Sequence, residues 1–205
     1  MVKVVFWDVD TQIDFIEPTG KLYVSGAEET RANLAYLTEL GANWGCLSGS
    51  VDAHTPSDME FRDWPEHCVY GTPGQHKIPE SVVSDMLFVP SVKLSSEQYS
   101  EVAAFEGQVI FEKQDTDVRT NPNVKSYMDL IRPEIIVVYG LVSEICVNSA
   151  VDFFARDLGY ETVVVVDAIK EIDLSKADHC MAEWKSLDVK MLRTRDVERL
   201  LGNVT

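Results

Sequence analysis

The run EIIVVYG (134–140) is apolar almost throughout, and this constrains the fold more than any other feature of the chain. A strand with one solvated face alternates apolar and polar residues, whereas a strand covered on both faces reads as a continuous apolar run. ETVVVVDA (161–168) and VKVVFWDV (2–9) have the same character. NWGCLSGS (43–50), MLFVP (86–90), QVIFEK (108–113) and VKML (189–192) read as further strands. Helical patterns lie between them. Ser25 with Glu28 has the form of a capping box ahead of ETRANLAYLTELG, with Gly41 as its stop. A short helix is expected over 97–105. After EIIVVYG, the residues Val147, Ala150, Val151, Phe154, Ala155 and Leu158 form one apolar stripe at helical spacing. Two more helices are expected, from about Ser175 and after Thr194.

Strands alternating with helices imply parallel pairing and right-handed crossovers. The fold class is therefore α/β, a three-layer α/β/α sandwich. At 205 residues, the span 1–205 is read as a single domain. In such a sheet, sites form beyond the carboxyl ends of the strands. Asp10, Asp52 with His54, Lys113 and Cys146 all fall at or just past strand ends.

The formal net charge is −16, with 18 Lys and Arg against 34 Asp and Glu. That balance excludes a cationic footprint for nucleic acid and argues against anionic membranes. It says little about a small neutral substrate. No run approaches the length of a membrane span, and the N-terminal segment reads as a strand rather than a secretory signal. Cytoplasm is the expected compartment. The four cysteines (Cys46, Cys68, Cys146 and Cys180) contain no CxxC pair, so a finger-type zinc site is not expected.

Cys146 stands in GLVSEICVNSA (140–150), where a buried strand gives way to a helix. A cysteine there serves as a small core residue or as a nucleophile. Nucleophilic use needs help, because a free thiol with a pKa of about 8.5 is mostly protonated at neutral pH. A helix start and a nearby Lys113 ammonium would both supply positive potential. Lys113 by itself reads equally as a strand-end lysine reaching solvent. Asp10 reads as a turn aspartate or as the base that takes the thiol proton. Asp52 and His54, two apart on extended chain, point the same way. With His67 they make a His₂-carboxylate set suited to Zn²⁺ or Fe²⁺, and Glu60 or Asp58 would add a carboxylate. A polar loop with coincidental histidines is the alternative.

Four segments resemble one family, in its order along the chain. D-T-Q-I-D-F (10–15), WPEHCVYGTPG (64–74), GLVSEICVNSA (140–150) and GYETVVVVDA (159–168) are similar to segments of the isochorismatase-like cysteine hydrolases, and within them the nicotinamidases. The resemblance implies a six-stranded parallel sheet between helices and a homo-oligomer. It implies a triad of Asp10, Lys113 and Cys146, with an oxyanion hole from the amides of Val142 and Cys146. Val142 would follow a cis peptide. Phe15 and Trp64 would hold the substrate ring. Asp52, His54, His67 and Glu60 would bind a divalent metal: zinc, or else iron or manganese. The implied reaction is hydrolysis of nicotinamide to nicotinate and ammonia through a cysteine thioester. Another small amide, a ureido or carbamoyl compound, or isochorismatase-type chemistry is the alternative, and a non-catalytic protein that kept the fold is a third reading. Two features depart from the nicotinamidase pattern. EKQDTDVRTNPNV lacks the S-A-F that often follows the lysine, and Val142 stands where alanine is usual.

Overall fold

The computed structural model describes residues 4–44 and 46–202. Seven strands form one parallel sheet: β1 (Val4–Val9), β2 (Leu47–Asp52), β3 (Met86–Val89), β4 (Gln108–Lys113), β5 (Ile135–Leu141), β6 (Glu161–Lys170) and β7 (Lys190–Leu192). Their order is β3-β4-β2-β1-β5-β6-β7, and every neighbouring pair is parallel. The sheet has seven strands, not the six implied by the resemblance. The additional strand matches the run VKML, which closes one edge beside β6.

Helices cover both faces. α1 (Ile13–Ile16), α2 (Arg31–Trp44) and α7 (Thr194–Gly202) pack on one side; α3 (Ser96–Ala103), α4 (Val124–Ile131), α5 (Asn148–Val151) and α6 (Leu174–Ser186) pack on the other. Wider helical turns at Ser143–Val147 and Asp152–Asp157 extend α5 in both directions. The period-two geometry of strands divides the core. In β1, Phe6 joins Leu34 and Leu37 of α2, while Trp7 joins Phe111 and Phe154 on the opposite face. Both faces of β1, β2 and β5 are buried, which is why the β1 and β5 runs read as almost continuously apolar.

Several local expectations need correction. Ser25 and Glu28 form no capping box. Gly26 precedes a short 3₁₀ turn (Ala27–Thr30), and the Glu28 carboxylate instead accepts the Tyr23 hydroxyl at 2.6 Å. Gly41 does not end α2, which runs on to Trp44, so Asn43 and Trp44 are helical rather than the start of a strand. The glycine is there because a Cβ would lie 2.9 Å from the Cβ of Phe6. Helix α4 was not foreseen. It is only eight residues long and lies between Pro122 and Pro133, which obscure its pattern. The first two residues expected in the β1 strand, Val2 and Lys3, lie outside the described residues.

The chain reverses direction across the sheet at β1, with β2 on one side and β5 on the other. A topological switch opens a crevice beyond the carboxyl ends of these strands. Register brings the site residues level there: Asp52 pairs with Lys113, and Val9 pairs with both Ser50 and Gly140.

Candidate active site

Asp10, Asp52, Lys113 and Cys146 converge at this crevice, and all four are buried. Lys113 is the hub. Its ammonium lies 2.9 Å from a carboxylate oxygen of Asp10, donates to Asp52, and donates to the Cys146 sulfur at 3.7 Å. A lysine ending an apolar strand could have reached solvent. Here it is 1 % exposed and bound to two carboxylates. Burial disfavours its charge, yet Asp10 and Asp52 outweigh that and raise its pKa well above the ordinary lysine value.

Asp10 follows β1 in a left-handed backbone conformation, φ 48°. Aspartate tolerates this region better than most residues, and such outliers cluster at functional sites. Ser50 donates to Asp10 Oδ1 at 2.8 Å. The Oδ2 atom, which faces Lys113, has no aligned hydrogen-bond donor. Burial raises the Asp10 pKa above the usual carboxylate value; Lys113 opposes this and Asp52 adds to it. The carboxylate is thus a better proton acceptor than an exposed aspartate.

Cys146 lies in the helical turn Ser143–Val147 that leaves β5. Lys113 supplies the positive potential expected of it, but other effects outweigh it at the thiol. Burial pushes the thiol well above its ordinary value. Lys113 lowers it, but Asp10 and Asp52 raise it further. Burial and the two carboxylates thus favour the protonated thiol, and Asp10 stands beside it as an acceptor for its proton. The peptide between Leu141 and Val142 is cis.

A second cluster adjoins the first. Asp52, His54 and His67 are all buried and offer one ligand atom each within 4.8 Å of one another. The Nδ1 atoms of both histidines are engaged elsewhere: His54 with Asp58 at 3.0 Å, His67 with the Pro65 carbonyl at 2.7 Å. An N–H donated there leaves Nε2 as the lone-pair nitrogen. His54 Nε2 is buried without a hydrogen-bond partner. It lies 3.9 Å from both Asp52 and Glu60, while His67 Nε2 lies 3.8 Å from Asp52 and 3.7 Å from Glu60. This convergence of two imidazole nitrogens and two carboxylates fits a divalent ion. Asp58 acts differently from the ligand role considered for it: it fixes His54 from behind. Burial opposes ionisation of Asp52, but Lys113, His67 and His54 outweigh it and hold its pKa at about 2.

A narrow pocket opens onto both clusters. Phe15, Trp64, Leu141, Val142, Ile145 and Ile172 supply its apolar walls, and Asp52, Glu60 and Cys146 its polar ones. Phe15 and Trp64 thus share one cavity, and the Phe15 ring tilts against His67 with centroids 5.3 Å apart. No lysine or arginine lines it among the described residues.

Three supporting residues were not singled out from the sequence. Gln12 ties β1 to β2: its side chain donates to the Asp52 carbonyl at 2.8 Å and accepts the Asp52 N–H at 2.7 Å. Asp14 accepts the Cys68 N–H at 2.7 Å, anchoring the segment that carries His67. Phe61 packs on both histidine rings, at 5.0 and 5.6 Å. The D-T-Q-I-D-F spacing was the available signal for Gln12 and Asp14.

The whole arrangement falls within residues 8–196, which match the Isochorismatase domain model. The chain belongs to the isochorismatase domain family. It is 25% identical over 191 residues to the nicotinamidase/pyrazinamidase of Mycobacterium tuberculosis, covering 90% of this chain and 95% of that protein. Its fold is similar to that of the nicotinamidase/pyrazinamidase of Bacillus subtilis, with a TM-score of 0.75, 19% identity, and 93% and 100% of the two chains covered. The pyrazinamidase of Pyrococcus horikoshii, solved in complex with zinc, superposes with a TM-score of 0.71 at 21% identity, covering 93% and 99%. Among the described residues no helix is long and apolar enough to cross a membrane.

Proposed function

We propose that this isochorismatase-family hydrolase is a nicotinamidase-like amidase that cleaves the carboxamide of a small, neutral, flat ring. One observation carries this reading: the Asp10–Lys113–Cys146 cluster meets a largely apolar pocket bearing two aromatic walls and, among the described residues, no lysine or arginine. Substrates with a carboxylate, such as isochorismate or a carbamoyl amino acid, would find no lysine or arginine among the lining side chains. The curated relative named for nicotinamide and pyrazinamide supports the same substrate class.

The residues assign themselves to steps. The Cys146 sulfur attacks the carboxamide carbon as its proton passes to Asp10. The amides of Val142 and Cys146 donate to the oxygen that gains charge. Asp10 returns the proton to the departing amine, releasing ammonia and leaving a thioester. Water, deprotonated by Asp10, then attacks the thioester, and the thiol and the carboxylic acid are restored. Lys113 keeps the two carboxylates in place and stabilises negative charge on sulfur. Asp52, His54, His67 and Glu60 would hold a divalent ion, zinc being suited to this donor set. When bound, it supplies Lewis acidity beside the thiol.

The test is ammonia release from nicotinamide by protein loaded with zinc, beside a panel of ureido and carbamoyl acids. Turnover of nicotinamide that disappears in Cys146→Ala is expected. Turnover confined to the carboxylate-bearing compounds removes the substrate assignment, and full turnover in Cys146→Ala removes the nucleophile.

A further inference from the structure

Glu144 lies two residues before Cys146, in the same helical turn, yet it has no part in the triad or the metal cluster. Its carboxylate reaches across to the segment between β6 and α6. Oε1 accepts the backbone N–H of Ile172 at 3.0 Å and that of Asp173 at 2.7 Å. Oε2 is buried and makes no hydrogen bond. Ile172 is half-exposed and lines the pocket. Asp173 in turn caps α6, accepting the N–H groups of Ser175 and Lys176. One carboxylate therefore links the turn that carries the nucleophile to the wall of the cavity in front of it.

We propose that Glu144 is a positioning residue that fixes Ile172 as a wall of the substrate pocket and so sets the width of the ring that is accepted. The segment 171–173 lies between a strand and a helix and contains no repeating hydrogen bonds of its own. Two N–H donors on one carboxylate oxygen hold its backbone in one place, and charge-assisted bonds of this kind are the stronger class. Without them, Ile172 would be tethered only at Lys170 and by the α6 cap. Pocket width would then vary while the Asp10–Lys113–Cys146 contacts, made from the ends of β1 and β4 and from the turn that leaves β5, remained unchanged. The inference about ring width rests on the amidase reading; the anchoring of the segment does not.

The experiment joins hydrogen exchange with steady-state kinetics on the intact protein. In Glu144→Ala, the Ile172 and Asp173 amides should lose protection while β5 amides keep theirs. Glu144→Gln retains a carbonyl acceptor and should preserve protection. With nicotinamide, KM should rise roughly tenfold in Glu144→Ala with kcat nearly unchanged, as expected for loss of charged hydrogen bonds that act on binding alone. Ile172→Ala should produce a similar rise, and the double variant no more than either alone. Unchanged protection in Glu144→Ala overturns the anchor. Additive KM effects, or a loss confined to kcat, overturn the positioning role. If the wild-type protein releases no ammonia from nicotinamide, the substrate assignment fails while the exchange result still decides the anchor.

Discussion

Lys113 and Asp10 form an ion pair at 2.9 Å inside the protein, and each is 1 % exposed or less. A charge buried this deeply is tolerated only when paired. The ammonium also serves Asp52, so its loss would strand two carboxylates at once. Lys113→Met is expected to lower stability by about 3–5 kcal/mol, the usual cost of breaking a buried pair. Urea denaturation at neutral pH measures it. A change below about 1 kcal/mol would show that Asp10 and Asp52 find other partners.

Cys146 and Asp10 make a prediction in two opposite directions. Burial comes first among the causes that raise the thiol pKa, and the charges of Asp10 and Asp52 add to it against Lys113. A group that ionises to an anion does so more easily when a neighbouring anion is removed. Asp10→Asn should therefore lower the Cys146 pKa and speed its alkylation by iodoacetamide between pH 7 and 9. Amide turnover should fall by roughly 10²–10⁴, the contribution of a positioned proton carrier. Peptide mapping separates Cys146 from the other cysteines. Parallel loss of alkylation and turnover would contradict the claim that the Asp10 charge holds the thiol pKa up.

The sheet was legible in the sequence because burial on both faces leaves uninterrupted apolar runs, as in 134–140 and 161–168. Strand ends then located Asp10, Asp52, Lys113 and Cys146. Gly41 was misread because a glycine inside a helix and one past its end look alike in sequence; only the approach to Phe6 distinguishes them. The thiol environment was misread for a related reason. Proximity of Lys113 was inferable from strand order, but the depth of burial that outweighs its effect was not. Glu144, Gln12 and Asp14 act through backbone groups distant in sequence, and such partners leave no periodic trace.

The metal cluster depends on residues that touch no metal. Asp58 accepts from His54 Nδ1 at 3.0 Å and also holds the Thr55 N–H at 2.9 Å. Replacing an outer partner of this kind typically costs about 10–100-fold in metal affinity. Asp58→Ala should therefore bind zinc correspondingly more weakly, and His54→Ala should lose the site. Competition with a chromophoric chelator gives both constants. Equal affinity in Asp58→Ala and wild type would mean that His54 is oriented by packing against Phe61 instead.

Gly74 and Asp14 give the most local prediction. A Cβ on Gly74 would lie 2.2 Å from the Asp14 carboxylate. That carboxylate holds the Cys68 N–H at 2.7 Å and the Lys21 N–H at 3.0 Å. Cys68 sits in the left-handed region, φ 45°, one residue after His67. Gly74→Ala must displace the carboxylate and release this strained segment. The expected loss of stability is about 2–4 kcal/mol, combining overpacking with a buried charged hydrogen bond. Zinc affinity should fall with it, because His67 rides on the released segment. In an Asp14→Ala background the alanine at 74 has no carboxylate to displace, so the two substitutions should cost less together than the sum of their separate effects. Urea denaturation of the four proteins measures the coupling, and strict additivity would show that Gly74 serves a different neighbour.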